Sequence, residues 1–221
     1  MTGPGRGDER TAEETALDAA LAAMLPPGVR AASRTIRRGD RTLLLPEEAA
    51  SISSRKDDAR DASGAARHVA RELLGQAGLV PAPIVKAATR APIWPEGVVG
   101  SMAHDDDIAL AAVAAAASFA GLGIDIEPAD PLADEVAELV RMPADVLDDA
   151  HGNLGCRLLF SAKEAVYKAT FPLHQAILGF EDVTIDFKRG EGRTRAGHRV
   201  QLVWCISPRI VVLAFGPVGS G

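Results

Sequence analysis

Near the start of the chain apolar residues recur at helical spacing. Leu17, Leu21, Met24 and Leu25 form one stripe, Thr11 and Glu14 offer a capping box ahead of it, and Pro26-Pro27 closes it. Residues 34–45 then read as an extended hairpin turning at Gly39-Asp40. Pro46 opens a short helix to Ile52, and a longer one follows over 57–75 with Val69, Leu73 and Leu74 inward. Residues 83–86 predict a short strand and 100–104 the end of another. The alanine-rich run 108–117 favours a helix by propensity alone. In Gly123-Ile124-Asp125-Ile126-Glu127 the period drops to two, which places the isoleucines on one face of a strand and both carboxylates on the other. Helices are predicted over 131–140, from Pro143 to 151–152, and over 155–171 with Pro172 as the stop. Strands over 180–188, 198–206 and 209–215, with turns at 189–192 and 207–208, make the second half an α+β unit ending in a hairpin.

Composition narrows the function classes. A chain of 221 residues can form one large domain or two small ones. Its net charge of −6 excludes a general polyanion-binding role while leaving room for a local basic patch. Cys156 and Cys205 make no disulfide framework and read as small buried groups. No stretch is long and apolar enough to span a bilayer, and residues 1–8 lack the apolar run of a signal peptide, so a soluble cytoplasmic protein is expected. Residues 1–10 read as a mobile tail, in which Arg6-Gly7-Asp8 is a chance tripeptide.

The acidic strand gains chemical meaning from Phe160-Ser161-Ala162-Lys163-Glu164-Ala165-Val166-Tyr167-Lys168-Ala169. Glu164 and Lys168 stand four apart on one helical face, with Lys163 beside them. If this helix crosses the strand, Asp125, Glu127 and Glu164 converge next to two ammonium groups. An all-oxygen set of that kind suits Mg²⁺ together with a phosphorylated substrate, whereas a solvated acidic face is the plain alternative. Arg60, Arg67 and Arg71 recur on nearly one face of the 57–75 helix, which by composition alone is a solvated basic edge. Lys86, taken alone, is an ordinary solvated lysine. Trp94, held between Pro92 and Pro95, caps the core or walls a ligand site, and Asp105-Asp106-Asp107 reads as a solvated loop.

Three blocks, in order, resemble the 4′-phosphopantetheinyl transferases, of the type represented by the D component of enterobactin synthase. They are Ala91 through His104 (including Trp94-Pro95 and Gly100-Ser101-Met102-Ala103-His104), Gly123 to Pro128, and Phe160 to Ala169 running into Phe171-Pro172-Leu173. A weaker match is Arg67-His68-Val69-Ala70-Arg71-Glu72-Leu73-Leu74-Gly75.

The resemblance implies an α+β fold of two similar α/β halves related by a pseudo-twofold axis, here 11–118 and 119–221, with the active site in the cleft between them. It favours a strand over 108–117. It also implies transfer of the 4′-phosphopantetheine arm of coenzyme A to a serine of an apo acyl or peptidyl carrier protein, with adenosine 3′,5′-bisphosphate released. Asp125, Glu127 and Glu164 would hold Mg²⁺, with Mn²⁺ the alternative cation. Glu164, Lys163 and Asp125 would be catalytic. Arg60, Arg67, Lys86, Ser101, His104, Lys163 and Lys168 would bind coenzyme A. Ser63 departs from the aromatic residue of the family, and the three aspartates after His104 are foreign to it and could weaken coenzyme A binding. The apolar residues Phe171, Leu173, Ile177 and Leu178 are either core or a docking surface for the carrier. The type points to siderophore and other secondary-metabolite synthesis by a monomer, without nucleic acid or membrane. A Mg²⁺-dependent phosphoester hydrolase and a silent coenzyme A-binding protein are the competing readings.

Overall fold

The computed structural model describes residues 10–218; of the predicted tail over 1–10, residues 1–9 lie outside them and Arg10 pairs with Asp18 of α1. Four layers stack in the order helix, sheet, sheet, helix. Helix α1 (Ala12–Met24) leads in, with Thr11 Oγ1 accepting from the Glu14 amide and the Glu14 carboxylate accepting from the Thr11 amide. Strand β1 (Arg30–Thr35), helix α2 (Pro46–Ser51) and helix α3 (Asp57–Gln76) precede β2 (Val98–His104) and β3 (Ile108–Ala115). These three strands form an antiparallel sheet in the order β1-β3-β2. The second half holds β4 (Phe119–Glu127), α4 (Asp134–Val140), α5 (Gly155–His174), β5 (Val183–Asp186), β6 (Glu191–Thr194), β7 (Arg199–Cys205) and β8 (Ile210–Pro217). Its five strands order as β4-β8-β7-β6-β5, all antiparallel. The expected α+β architecture of two halves, each a sheet backed by a helix, is therefore present.

Burial explains why the alanine-rich run is a strand and not a helix. Residues 108–114 are buried on both faces of β3. Ala109, Ala111 and Val113 meet α3 through Ala65, Ala66, Val69 and Leu73, while Ile108, Leu110 and Ala112 meet the other sheet. A strand covered on both sides needs apolar residues at every position, and small ones let both layers come close. Tertiary burial thus overrides alanine's helical preference. The central core is shared: Leu122, Ile124 and Ile126 of β4 and Val211, Leu213 and Phe215 of β8 pack with β3 and with Leu17 and Leu21 of α1. The alternate residues of β8, Ile210, Val212 and Ala214, face α5.

Several local expectations change. Residues 34–45 form no hairpin: β1 pairs with the distant β3, and Asp40–Leu43 is a 3-10 turn. The 83–86 segment contributes only an isolated bridge between Lys86 and Pro92. The helix predicted from Pro143 is replaced by a 3-10 segment, Asp149–Leu154, with Val146 bridging to Asp186. The turn predicted at 189–192 falls instead at 187–190, because β5 ends at Asp186 and β6 begins at Glu191. Helix α5 continues through Pro172 to His174, since a proline so near the end forfeits one backbone bond only. The three aspartates are not simply solvated. Arg209, in the β7–β8 turn, bonds Asp105 at 3.0 Å, Asp107 at 3.2 Å and Glu13 of α1 at 2.8 Å. Asp105 also accepts from the amides of Asp107 and Ile108. Asp105 and Asp107 are thus spent on a clamp that joins segments from the start, the middle and the end of the chain.

What positions the site is the approach of α5 to β4. A Cβ added to Gly121 would lie 2.2 Å from the Ala169 carbonyl oxygen, and one on Gly123 would lie 2.0 Å from that of Ala165. Only glycine admits the helix backbone at that distance. Gly123→Ala must push α5 away, and overpacking of a fully packed contact costs on the order of 2 kcal/mol or more. Equilibrium urea unfolding should register that loss, with little change in the m-value.

Candidate active site

Two elements in close contact carry the chemistry. Along α5, residues four apart form one edge; along β4, residues two apart form one face. Ala169 lies against Gly121 and Ala165 against Gly123, and farther along Arg157 pairs with Glu127 at 2.8 Å. Between these contacts stand Asp125 and Glu164. Lys168 Nζ reaches Asp125 Oδ1 at 2.6 Å and the Ile124 carbonyl at 3.2 Å.

The electrostatics suit a site for a cation. Burial pushes the Glu164 carboxyl above its ordinary range; Lys168 pulls it down and the charge on Asp125 raises it. Glu127 is likewise raised by burial, lowered by its Arg157 hydrogen bond, and raised again by Asp125. Asp125 Oδ2 is buried without a hydrogen-bond partner. Repelling carboxylates and an orphaned carboxylate oxygen mark a place where positive charge is missing, and the donors are all hard oxygens. The residues fit a hard divalent ion, although among the described residues no three such side chains already converge at coordinating distance. Lys168 and Arg157 hold two of the carboxylates instead.

Lys168 also belongs to a cavity of about 330 Å³ between the two halves. Its walls include Arg67, Lys86, Arg90, Trp94, Ser101 and His104 from the first half, and Tyr167, Lys168 and Phe171 from α5. Among the described residues no carboxylate lines it. A neighbouring cavity beyond His104 is walled by Asp58, Asp61, Asp105 and Asp106 against a single arginine, Arg38. The first therefore favours an anionic ligand and the second disfavours one. Burial, with Arg90 and Arg67 nearby, lowers the Lys86 pKa. His104 Nδ1 lies 3.1 Å from the Asp105 carbonyl and so donates to it, leaving Nε2 as the ring nitrogen for a ligand. Trp94 combines both of its expected roles: it lies over Gly100, packs on the α3 core and walls the cavity.

Other predicted residues lie elsewhere. Arg60 is absent from the cavity wall and makes only long contacts to the carbonyls of Ile52 and Ser54. Arg67 is buried, and its Nε is committed to the Ile84 carbonyl at 2.8 Å, so it shapes the wall as well as charging it. Arg71 is bound to Glu48 and to the Leu43 carbonyl. The largest departure is Lys163. It is 1% exposed, paired with buried Asp145 at 2.8 Å and bonded to the Phe180 carbonyl at 2.9 Å, away from the carboxylates. Asp145 in turn accepts from the amides of Met142 and Ile185. This lysine ties the 142–146 and 180–185 segments to α5.

Arg157 escaped the sequence reading. Its signal was its place seven residues before Glu164, on the same helical face.

Comparison with known proteins decides the family. The 4′-phosphopantetheinyl transferase N-terminal domain matches residues 47–114, and the 4′-phosphopantetheinyl transferase superfamily model matches residues 121–211. The chain is 40% identical over 179 residues to the 4′-phosphopantetheinyl transferase Npt of Nocardia iowensis, covering 79% of this chain and 80% of that protein. It belongs to the 4′-phosphopantetheinyl transferase superfamily. The transferase Svp of Streptomyces mobaraensis is 41% identical over 153 residues, and PptT of Mycobacterium tuberculosis 40% over 148. Those alignments cover 65% of this chain in each case and 61% and 65% of the two relatives, somewhat less than two thirds of their length. Within the superfamily match lie β4 from Gly121 onward and all of α5, so Asp125, Glu127, Glu164 and Lys168 fall inside the shared region.

The placement of Lys163 makes this family member testable at a residue first read as catalytic. Lys163→Ala leaves Asp145 charged and unpaired in the interior, which costs about 3–5 kcal/mol. Thermal or urea denaturation should show that loss in the absence of any ligand.

Proposed function

We propose that this chain transfers the 4′-phosphopantetheine arm of coenzyme A to a serine of an apo acyl or peptidyl carrier protein. The observation that carries the reading is the continuity between the two sites. Lys168 is at once a wall of the basic cavity and the partner of Asp125 in the carboxylate cluster. A pyrophosphate bound there is gripped at one end by cationic groups and presented to carboxylates at the other.

In this reading Arg67, Lys86, Ser101 and His104 hold the adenosine phosphates, while Asp125, Glu127 and Glu164 hold the cation, Mg²⁺ or Mn²⁺. The bound ion would neutralise the pyrophosphate and orient it for in-line attack. Lys168 exchanges Asp125 for a phosphate oxygen, so its charge moves to where the leaving group gathers negative charge. Glu164, beside the cation, would take the serine proton. The serine oxygen forms a bond to the phosphorus bearing the pantetheine arm. The bond from that phosphorus to the bridging oxygen breaks, and adenosine 3′,5′-bisphosphate leaves with the electron pair. Lys163 acts through the fold alone.

The carrier would dock beside the mouth of the cavity, where α5 ends. Leu173 is 47% and Ile177 86% exposed, while Phe171 is half-buried in the cavity wall and Leu178 packs on the core. An exposed apolar pair suits the apolar part of a carrier helix and needs no long-range attraction, which a net charge of −6 would oppose for an acidic carrier. We assign the chain to the enterobactin synthase D type, acting on secondary-metabolite or siderophore carriers as a monomer of halves 11–118 and 119–221. Their ordered motif blocks support that assignment.

Intact-mass spectrometry of an apo carrier incubated with the protein, coenzyme A and Mg²⁺ tests the reaction. The carrier should gain one phosphopantetheine, and Asp125→Ala or chelation should abolish the gain. Unmodified carriers with coenzyme A bound but intact would favour a binding protein, and cleaved coenzyme A without modified carrier a hydrolase. Ile177→Glu should lower kcat/KM for the carrier about tenfold with an unchanged melting temperature, a test of the docking surface by steady-state kinetics.

A further inference from the structure

The register of α5 on β4 leaves one position unaccounted for. Ala169 meets Gly121, Ala165 meets Gly123, and Arg157 meets Glu127. Each step of four residues on the helix advances about 6 Å, and each step of two on the strand about 6.6 Å, so the two runs stay in phase. The helix residue that falls between Ala165 and Arg157 is Ser161, and the strand residue between Gly123 and Glu127 is Asp125. Ser161 therefore stands opposite Asp125.

Both residues are incomplete in the same way. Ser161 is fully buried, and its Oγ has no hydrogen-bond partner. Asp125 Oδ2 is buried and has none either, while Oδ1 is taken by Lys168. A serine within a helix ordinarily returns its hydroxyl to a carbonyl one turn back, as Thr170 does to Val166. Leaving a hydroxyl unpaired in the interior costs roughly 1–3 kcal/mol, and an alanine there would avoid the penalty. In this register a donor without an acceptor falls in line with an acceptor without a donor.

We propose that Ser161 is a positioning residue for the cation site. Its hydroxyl donates to the Asp125 carboxylate, directly after a turn about χ1 or through one buried water. Lys168 and Ser161 then steady the two ends of the carboxylate, and Ser161 keeps it oriented when Lys168 is drawn to phosphate. Groups that orient a metal-binding carboxylate change cation affinity by about 10–100-fold when removed. The proposal rests on Asp125 serving as a cation ligand, as the proposed function has it.

The test separates cation binding from turnover. Mn²⁺ is titrated calorimetrically into the wild-type protein, Ser161→Ala and Ser161→Cys, with coenzyme A present, and melting temperatures are taken without metal. The expected result is a Kd for Mn²⁺ raised at least tenfold in both variants, metal-free melting temperatures close to wild type, and recovery of affinity in Ser161→Thr. The cysteine variant keeps the volume, so it reports even where alanine disturbs packing. Wild-type affinity in both variants overturns the proposal, as does a loss of melting temperature without a change in Kd. If the wild type binds Mn²⁺ but modifies no carrier, the transferase reading fails while the Ser161 comparison stands. If it modifies carriers and Ser161→Ala binds Mn²⁺ normally, the reverse holds.

Discussion

Backbone contact between one helix and one strand governs the arrangement of this protein. At Gly121 and Gly123 no side chain separates α5 from β4, and the helix carbonyls lie where a Cβ would otherwise be. That contact fixes the register of the two elements to within a fraction of a residue. Every group of interest on α5, from Arg157 to Lys168, takes its address from it. A carboxylate on β4 and a lysine on α5 can meet at 2.6 Å because the glycines two and four residues away allow it.

The remainder of the structure supports this pair from both sides. Helix α5 is held on its sheet by its own Leu158, Leu159 and Ala162, in the second-half core that also takes in Val140 of α4 and Val212 of β8. The far face of β4 is anchored by Leu122, Ile124 and Ile126 in the core shared with the first half. Alternation along β4 thus separates two jobs: every other residue builds the core, and the ones between carry glycine clearance and then charge. The same alternation on β3 and β8 lets single strands serve two layers each.

Much of this was legible in the sequence because it depends on periodicity. The carboxylate face of β4, the stripe of α1 with its capping box, and the partnership of Glu164 with Lys168 all follow from spacings of two, three or four. Lys163 shows where adjacency misleads. One residue along a helix is a rotation of about 100°, so Lys163 points away from Glu164 although it precedes it directly. Its true partner, Asp145, lies in an irregular segment that no periodicity marks. The 34–45 stretch was misread for a related reason. Its extended character was apparent, but its pairing partner is over seventy residues away, and local turn chemistry suggested a nearer one. Arg60 had the right spacing for a phosphate clamp, yet the cavity opens farther along α3, at Ser63 and Arg67. The role of the acidic run 105–107 depends on Arg209, which stands 104 residues beyond Asp105 in the chain and leaves no local trace there.

The shared core has a consequence for motion. Domains that close on ligands pivot about a small, polar interface, and the joint between these halves is a layer of buried apolar side chains. Opening it as a hinge would expose the apolar faces of β3, β4 and β8 together. The cavity is therefore a fixed mould, and discrimination among ligands falls to shape and charge already in place. Adjustment is confined to parts that can move without disturbing that layer: the ammonium group of Lys168, and the exposed turn at Arg90, whose backbone holds a left-handed φ of 74°.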